Sequence, residues 1–349
     1  VMTGAAVVIT DQVNLAQADA VDTITSGAVT INSFTGTLSD FNEAHGDAGK
    51  TMTGAAVVIT DQVNLASADA VDAITSGAVT VNSFTGTLSN FNEAHGDAGK
   101  TMTSAAVVIT DQVTYAQADG VDTITSGAVT VNSFTDSYAN WIQAHDTDAG
   151  KSMGGAAVLL TGNVTLAQLN AVNADTTGAV TFTAVEDTRE NITTINASGD
   201  YDLSSAAVTV TDQVTLGQAD TLDAMTDGAL TVNSFTGTKA EFDEAHGDAG
   251  KTMTGAAVVI TDQMNLTAAD AVDAITGGAV TINSFTGTKA DFDEAHGDAG
   301  KVMTGAAVVI TDQVNLSQAD AVDLITSGAV TINSFTGTKA EFDEAHGDA

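Results

Sequence analysis

The 349-residue chain carries 45 acidic against 9 basic side chains, a net charge of -36, which argues against nucleic acid and anionic membrane surfaces as partners. Cysteine and proline are both absent, which excludes disulfides, thiolate metal sites and the commonest helix breaker. Hydrophobic residues make up 43% but aromatics only 5%, and no apolar run approaches the ~18 residues that a membrane span needs.

One phrase recurs down the chain. Thr51-Met52-Thr53-Gly54-Ala55-Ala56-Val57-Val58-Ile59-Thr60-Asp61-Gln62-Val63-Asn64-Leu65 has close copies in repeats that start at residues 1, 101, 152, 202, 252 and 302. The step is 50 residues, with one step of 51. A fixed period of this size means a repeat architecture in which each unit buries its apolar face against its neighbours. The reading is a single continuous solenoid over residues 1–349, with the repeat at 152–201 degenerate. Such a repeated surface suits length and stiffness; catalysis usually needs one unique pocket.

Within the first repeat, Ala5 to Thr10 is a β-branched run bounded by glycine, and Ala28 to Asn32 is a second; both read as strands. Between them Leu15, Ala18, Val21 and Ile24 recur at near-helical spacing. Asn14 with Gln17 forms a capping box, and Gly27 stands where a left-handed C-terminal residue belongs. The second half repeats this logic. Thr238-Lys239-Ala240-Glu241 is a Thr-x-x-Glu capping box followed by Phe242 and Ala245 on one face; the first repeat has Thr37, Asp40, Phe41, Ala44 and Gly46 in those places. Each repeat is therefore strand–helix–strand–helix, two coils of about 22 and 28 residues. The extra length falls in a loop, Gly46 to Thr53, from which Met52 plugs the core. The expected core is Val7, Ile9, Leu15, Val21, Ile24, Val29, Ile31, Phe34 and Phe41 with their equivalents.

The fold class predicted is an α/β solenoid of seven 50-residue repeats, its fourteen strands stacked as a parallel sheet backed by helices. Coils of one strand and one helix resemble the leucine-rich-repeat class in architecture. Val29-Thr30-Ile31-Asn32-Ser33-Phe34 has its apolar alternation but no asparagine at the matching place.

Repeat four departs from the pattern. The aspartate of the strand phrase becomes Gly162, the Asn32 equivalent becomes Thr183, and Glu190-Asn191-Ile192-Thr193 replaces the Glu-Ala-His phrase. It holds the only arginine, Arg189, and glycosylation sequons at Asn163, Asn191 and Asn196. It reads as drift in a tolerant unit, or as a bend, glycan site or partner contact.

The phrase richest in chemistry is Glu43-Ala44-His45-Gly46-Asp47. It recurs with Glu93, His95 and Asp97, with Glu244, His246 and Asp248, and with Glu294, His296 and Asp298; Gln143, His145 and Asp148 form a variant. Glu, His and Asp are all metal ligands, so stacked copies could bind divalent cations, calcium among them. The same letters also spell a helix end: histidine at the negative dipole, Gly46 as left-handed cap, Asp47 opening a turn. Asp19, Asp69, Asp119, Asp220, Asp270 and Asp320 should form an acidic row. At ~10 Å spacing in water each neighbouring pair costs ~0.4 kcal/mol, most of which salt removes, so a solvated acidic face accounts for the row.

Thr35-Gly36-Thr37 and Thr51-Met52-Thr53 recur with the repeat, and flat Thr-x-Thr arrays are a way to present hydroxyls to ice or crystalline carbohydrate. Phosphate-loop, Gly-x-Ser-x-Gly and His-Glu-x-x-His motifs are missing, so an enzyme is not expected.

Near-identical acidic repeats rich in Ala, Val, Thr, Asp and Gly, with phrases such as Val164-Thr165-Leu166-Ala167-Gln168-Leu169-Asn170-Ala171, resemble the repeat regions of giant secreted or surface-attached bacterial proteins of cyanobacterial or marine type. The resemblance implies an extracellular or cell-surface stalk, filament, sheath or adhesin shaft, often stiffened by calcium. The competing expectation is an adhesin module that binds carbohydrate, ice or another surface. Val1-Met2-Thr3-Gly4 matches Val302-Met303-Thr304-Gly305, and the chain stops at Ala349 inside the same phrase. The expectation is a window of a longer chain, or a subunit that associates head to tail.

Overall fold

In five of the seven repeats the phrase ends in a short fifth element, as the second repeat shows. A strand Ala56–Val63 leads into a helix Leu65–Asp72, a strand Val79–Gly86, a helix Leu88–Gly96 and a two-residue strand Lys100–Thr101. The computed structural model describes residues 2–347, and over them fourteen α-helices alternate with nineteen strands. The chain is an α/β solenoid with parallel strand pairing. By compactness the residues fall into two units, Val1–Thr161 with Leu169–Thr181, and Gly162–Gln168 with Phe182–Ala349.

In the first unit the Ala56–Val63 strand pairs on one side with Val29–Gly36 of the preceding coil and on the other with Val79–Gly86. Alternation places Val57, Ile59 and Val63 inside, each at most 2% exposed. The register with Val79–Gly86 shifts between Ile59 and Gln62, a bulge that carries one extra residue on the first strand. The second unit repeats this arrangement, with Ala257–Met264 between Leu230–Gly237 and Val280–Gly287 and the same shift between Ile260 and Gln263.

Five strands beyond the fourteen expected are the two-residue pieces at Lys50, Lys100, Lys151, Lys251 and Lys301. Lys50–Thr51 lies beside Val29–Thr30, so the segment read as a loop is in part a sheet edge. Met52 is 1% exposed, the plug that its position suggested.

The capping boxes stand as read. The Asn14 N–H donates to Gln17 Oε1 and the Gln17 N–H donates to Asn14 Oδ1, both at 3.0 Å. Thr37 and Asp40 exchange the same pair of bonds at 3.0 and 3.1 Å, and Thr238 with Glu241 at 2.7 and 3.2 Å. The helix ends differ from expectation. The first helix closes at Asp22 with Thr23 in right-handed geometry, and the second runs through Gly46 to an extended Asp47. Neither Gly27 nor Gly46 is a left-handed cap; among the described residues only Gly162 (φ 80°) and Gly199 (φ 72°) have positive φ, and Gly199 alone caps a helix that way. Gly27 and its copies are glycine for another reason. A Cβ at Gly77 would collide with the Ala55 carbonyl, so close passage of chain segments requires the missing side chain.

Phe34, Phe41, Val29 and Ile31 are buried as expected, and Phe34 meets Phe41 edge-on with ring centroids 5.9 Å apart. Val7, Leu15 and Val21 are half-buried in the first repeat, whereas Val57 and Val71 are fully covered in the second. Ile24 is a correction: it is 65% exposed, whereas Ile74, which follows an equally short helix, is half-buried, so what covers this position is the repeat that precedes it and not the helical spacing. Ala18, Ala44 and Thr25 occupy the interior beside the named core.

Candidate functional site

The chemistry of each repeat gathers where its two helices and the Lys50-type strand converge. The Lys50 side chain is 2% exposed and its ammonium lies between carboxylates, 2.8 Å from Asp19 Oδ1 and in direct contact with Asp47. Lys100 makes the same pair, 2.8 Å from Asp69 and 2.5 Å from Asp97, with Asp72 at 3.9 Å. Lys151 has Asp119, Asp122 and Asp148 around it and the Tyr115 ring 5.8 Å away. In the second unit, Lys251 with Asp220, Asp223 and Asp248, and Lys301 with Asp270, Asp273 and Asp298, repeat the set.

The electrostatics follow from this geometry. The hydrogen bond from Lys50, helped by the Gly49 N–H, holds the Asp47 carboxyl below the usual aspartate range. Burial pulls Lys50 downward, but hydrogen bonds and charge from Asp19 and Asp47 outweigh it and hold the ammonium above its usual range. The same balance acts at Lys100, Lys151, Lys251 and Lys301. The expected acidic row is therefore no purely solvated face. Asp19, Asp69, Asp119, Asp220 and Asp270 remain 43–51% exposed, yet each turns one oxygen onto a buried lysine. Sequence reasoning missed these lysines; the available signal was that five of the nine basic residues stand at one and the same repeat position.

Two further sets of bonds join coil to coil. Thr25, Thr75, Thr125, Thr176, Thr226, Thr276 and Thr326 are buried. The Thr75 hydroxyl donates to the Ala55 carbonyl at 2.5 Å and accepts the Gly77 N–H at 3.0 Å. Asp61, beside the bulge, accepts the first helical N–H of the preceding repeat's second helix, from Leu38 at 2.8 Å. Asp111, Asp212, Asp262 and Asp312 do this for Leu88, Arg189, Lys239 and Lys289. These are the aspartates that Gly162 replaces, and there the Asp136 carboxylate accepts the N–H of Ser137, the N-cap of the following helix, at 2.8 Å.

The Glu-His-Asp phrases are spread apart. Glu43 and His45 are exposed, the His45 ring stacks on Phe41 at 6.3 Å, and Asp47 faces Lys50 while accepting the Gly49 N–H at 3.0 Å. His95, His246 and His296 stack likewise on Phe91, Phe242 and Phe292, and Asp97, Asp248 and Asp298 face lysines. Glu93, Glu244 and Glu294 are exposed. Among the described residues, none of these phrases brings three ligand atoms within 4.8 Å of one another. Two of the three sequon asparagines of repeat four are also engaged: Asn163 Nδ2 donates to Glu186 at 2.5 Å and Asn191 Nδ2 to Asp187 at 2.8 Å.

Among the described residues, no helix is long and apolar enough to cross a membrane. No protein-family model matches the chain, and comparison with curated proteins and with solved structures finds no match.

Proposed function

We propose that the chain is an extracellular structural repeat region, of the stalk, filament, sheath or adhesin-shaft kind. The observation that carries this reading is the spending of its distinctive polar groups on internal ties. Buried lysines, buried threonine hydroxyls and the bulge aspartates are each committed to coil-to-coil bonds, repeat after repeat. A chain built in this way invests its chemistry in cohesion between like units.

The rival, a module that binds carbohydrate, ice or another surface, draws less support. Sugar recognition favours open aromatic faces, whereas Trp141 is 0% and Tyr201 8% exposed, and Tyr115 and Tyr138 are half-buried. Thr37 is already a helix cap, which removes one member of the Thr-x-Thr pair from any hydroxyl array.

Sedimentation velocity of the isolated chain tests the proposal. An elongated particle is expected, and growth with concentration would mark a filament over a covalent stalk. The frictional ratio of a compact globule, together with saturable binding to an insoluble polysaccharide, would overturn it in favour of the rival.

A further inference from the structure

The third repeat breaks the pattern at three places that meet in space. The Phe41 and Phe91 position becomes Trp141, the glycine after the histidine becomes Asp146 followed by an inserted Thr147, and the Ile24 position of the next coil becomes Asp175. That last position is Ile74, Ile124, Met225, Ile275 and Ile325 elsewhere, apolar in each. The insertion is absorbed as a π-helical turn, Gln143–Thr147, in which His145 keeps the stacked place of the other histidines and Asp146 is its neighbour. Such single turns inside α-helices occur frequently at functional sites.

His145 Nδ1 lies 2.7 Å from Asp146 Oδ1 and 3.8 Å from Asp175 Oδ2, and the three ligand atoms all fall within 4.8 Å of one another. Trp141 Nε1 donates to Asp175 Oδ2 at 3.4 Å, and the indole stacks on the His145 ring with centroids 5.3 Å apart. Asp148 is held by Lys151 and does not compete for the position.

We propose that His145, Asp146 and Asp175 form a single binding site for a divalent transition-metal ion of the zinc class. One imidazole nitrogen and two carboxylate oxygens match its preference, with water completing the shell. Around an ion with bonds of about 2.0–2.1 Å, tetrahedral ligands stand about 3.3 Å apart. The two distances from His145, 2.7 and 3.8 Å, bracket that value, and the third pair lies within 4.8 Å. The Trp141 N–H is the outer contact that orients a ligating carboxylate. The covarying exchange of an apolar residue for Asp175 is what distinguishes this place from the Glu43-type phrases. The inference is independent of the structural role proposed above.

The chain's one tryptophan touches the site, so binding reports itself. Titration with Ni2+, a paramagnetic quencher, should give saturable loss of tryptophan fluorescence at one equivalent, with Zn2+ restoring the signal by competition. Asp175→Ile installs the residue that other repeats carry and is expected to fold normally. It should weaken the quenching at least about 10-fold, the scale set by losing even an outer contact to a metal. His145→Gln serves as the second variant, with circular dichroism as the folding control. Unsaturable quenching in the native chain, or the same curve in either folded variant, would overturn the proposal.

Discussion

Lys100 Nζ sits 2.8 Å from Asp69 Oδ1, across 31 residues of chain, with only 2% of the lysine side chain exposed. The bond joins the strand that ends the second repeat to that repeat's first helix. It places one positive charge where Asp69, Asp72 and Asp97 would otherwise face one another.

Removing that charge should destabilise more than shortening the chain does. Lys100→Ala is expected to cost about 1–3 kcal/mol, the range for hydrogen bonds to charged groups reduced by the solvent around half-exposed carboxylates. Lys100→Met keeps the buried stem and should show the electrostatic part alone. Urea denaturation measures both, and a Lys100→Met midpoint equal to that of the native chain would mean that the ion cluster contributes nothing.

Thr75→Val is nearly isosteric but strands the buried Ala55 carbonyl and the half-buried Gly77 N–H. The expected loss is about 2–3 kcal/mol, while Thr75→Ser, which keeps the hydroxyl, should lose under about 1 kcal/mol. Equal losses would show that packing, not hydrogen bonding, fixes the residue.

Burial predicts a sharp contrast between two apolar sites. Phe84 is 0% exposed, so Phe84→Ala should cost about 3–5 kcal/mol through the cavity left behind. Ile24 is 65% exposed, and Ile24→Thr should fall within about 0.5 kcal/mol of neutral. Thermal melts of the two variants check both values.

Stability should form a plateau in pH. The Asp47, Asp97, Asp148, Asp248 and Asp298 carboxyls are depressed in the fold by hydrogen bonds from their lysines. Their contribution is present above the ordinary aspartate value of about 3.9 and is lost as pH falls through the depressed values. The lysines are raised, so theirs is complete below about 10.4 and is lost as pH climbs through the raised values. Melting temperatures that stay level from pH 4 down to about 2 would contradict the carboxylate half.

Sodium and calcium should act alike on melting at matched ionic strength. In the repeated phrases, Asp47-type carboxylates point at an ammonium and His45-type rings lie on phenylalanine, so a calcium ion would meet a positive charge there. A melting temperature raised by millimolar calcium well beyond its sodium equivalent would instead support cation binding at the Glu43-His45-Asp47 phrases.

Much of this protein was legible in its letters because the relevant interactions are short-range. The 50-residue period, the strand–helix alternation and the boxes Asn14–Gln17 and Thr37–Asp40 depend on residues three or four apart, or on alternation within one strand. Those spacings are set by backbone geometry alone. Tertiary structure decided the rest. Lys50 became a buried ion partner of Asp19, and Lys50–Thr51 became a strand, only because Val29–Thr30 lies alongside. Ile24 lies in solvent where Ile74, with a repeat ahead of it, is half-buried, and Asp175 meets His145 only because the following coil lies against it. Each of those outcomes depends on which coil segment lies next to which. Charge and burial are settled by neighbours in space, 20 to 30 residues away in sequence, and no local pattern encodes them.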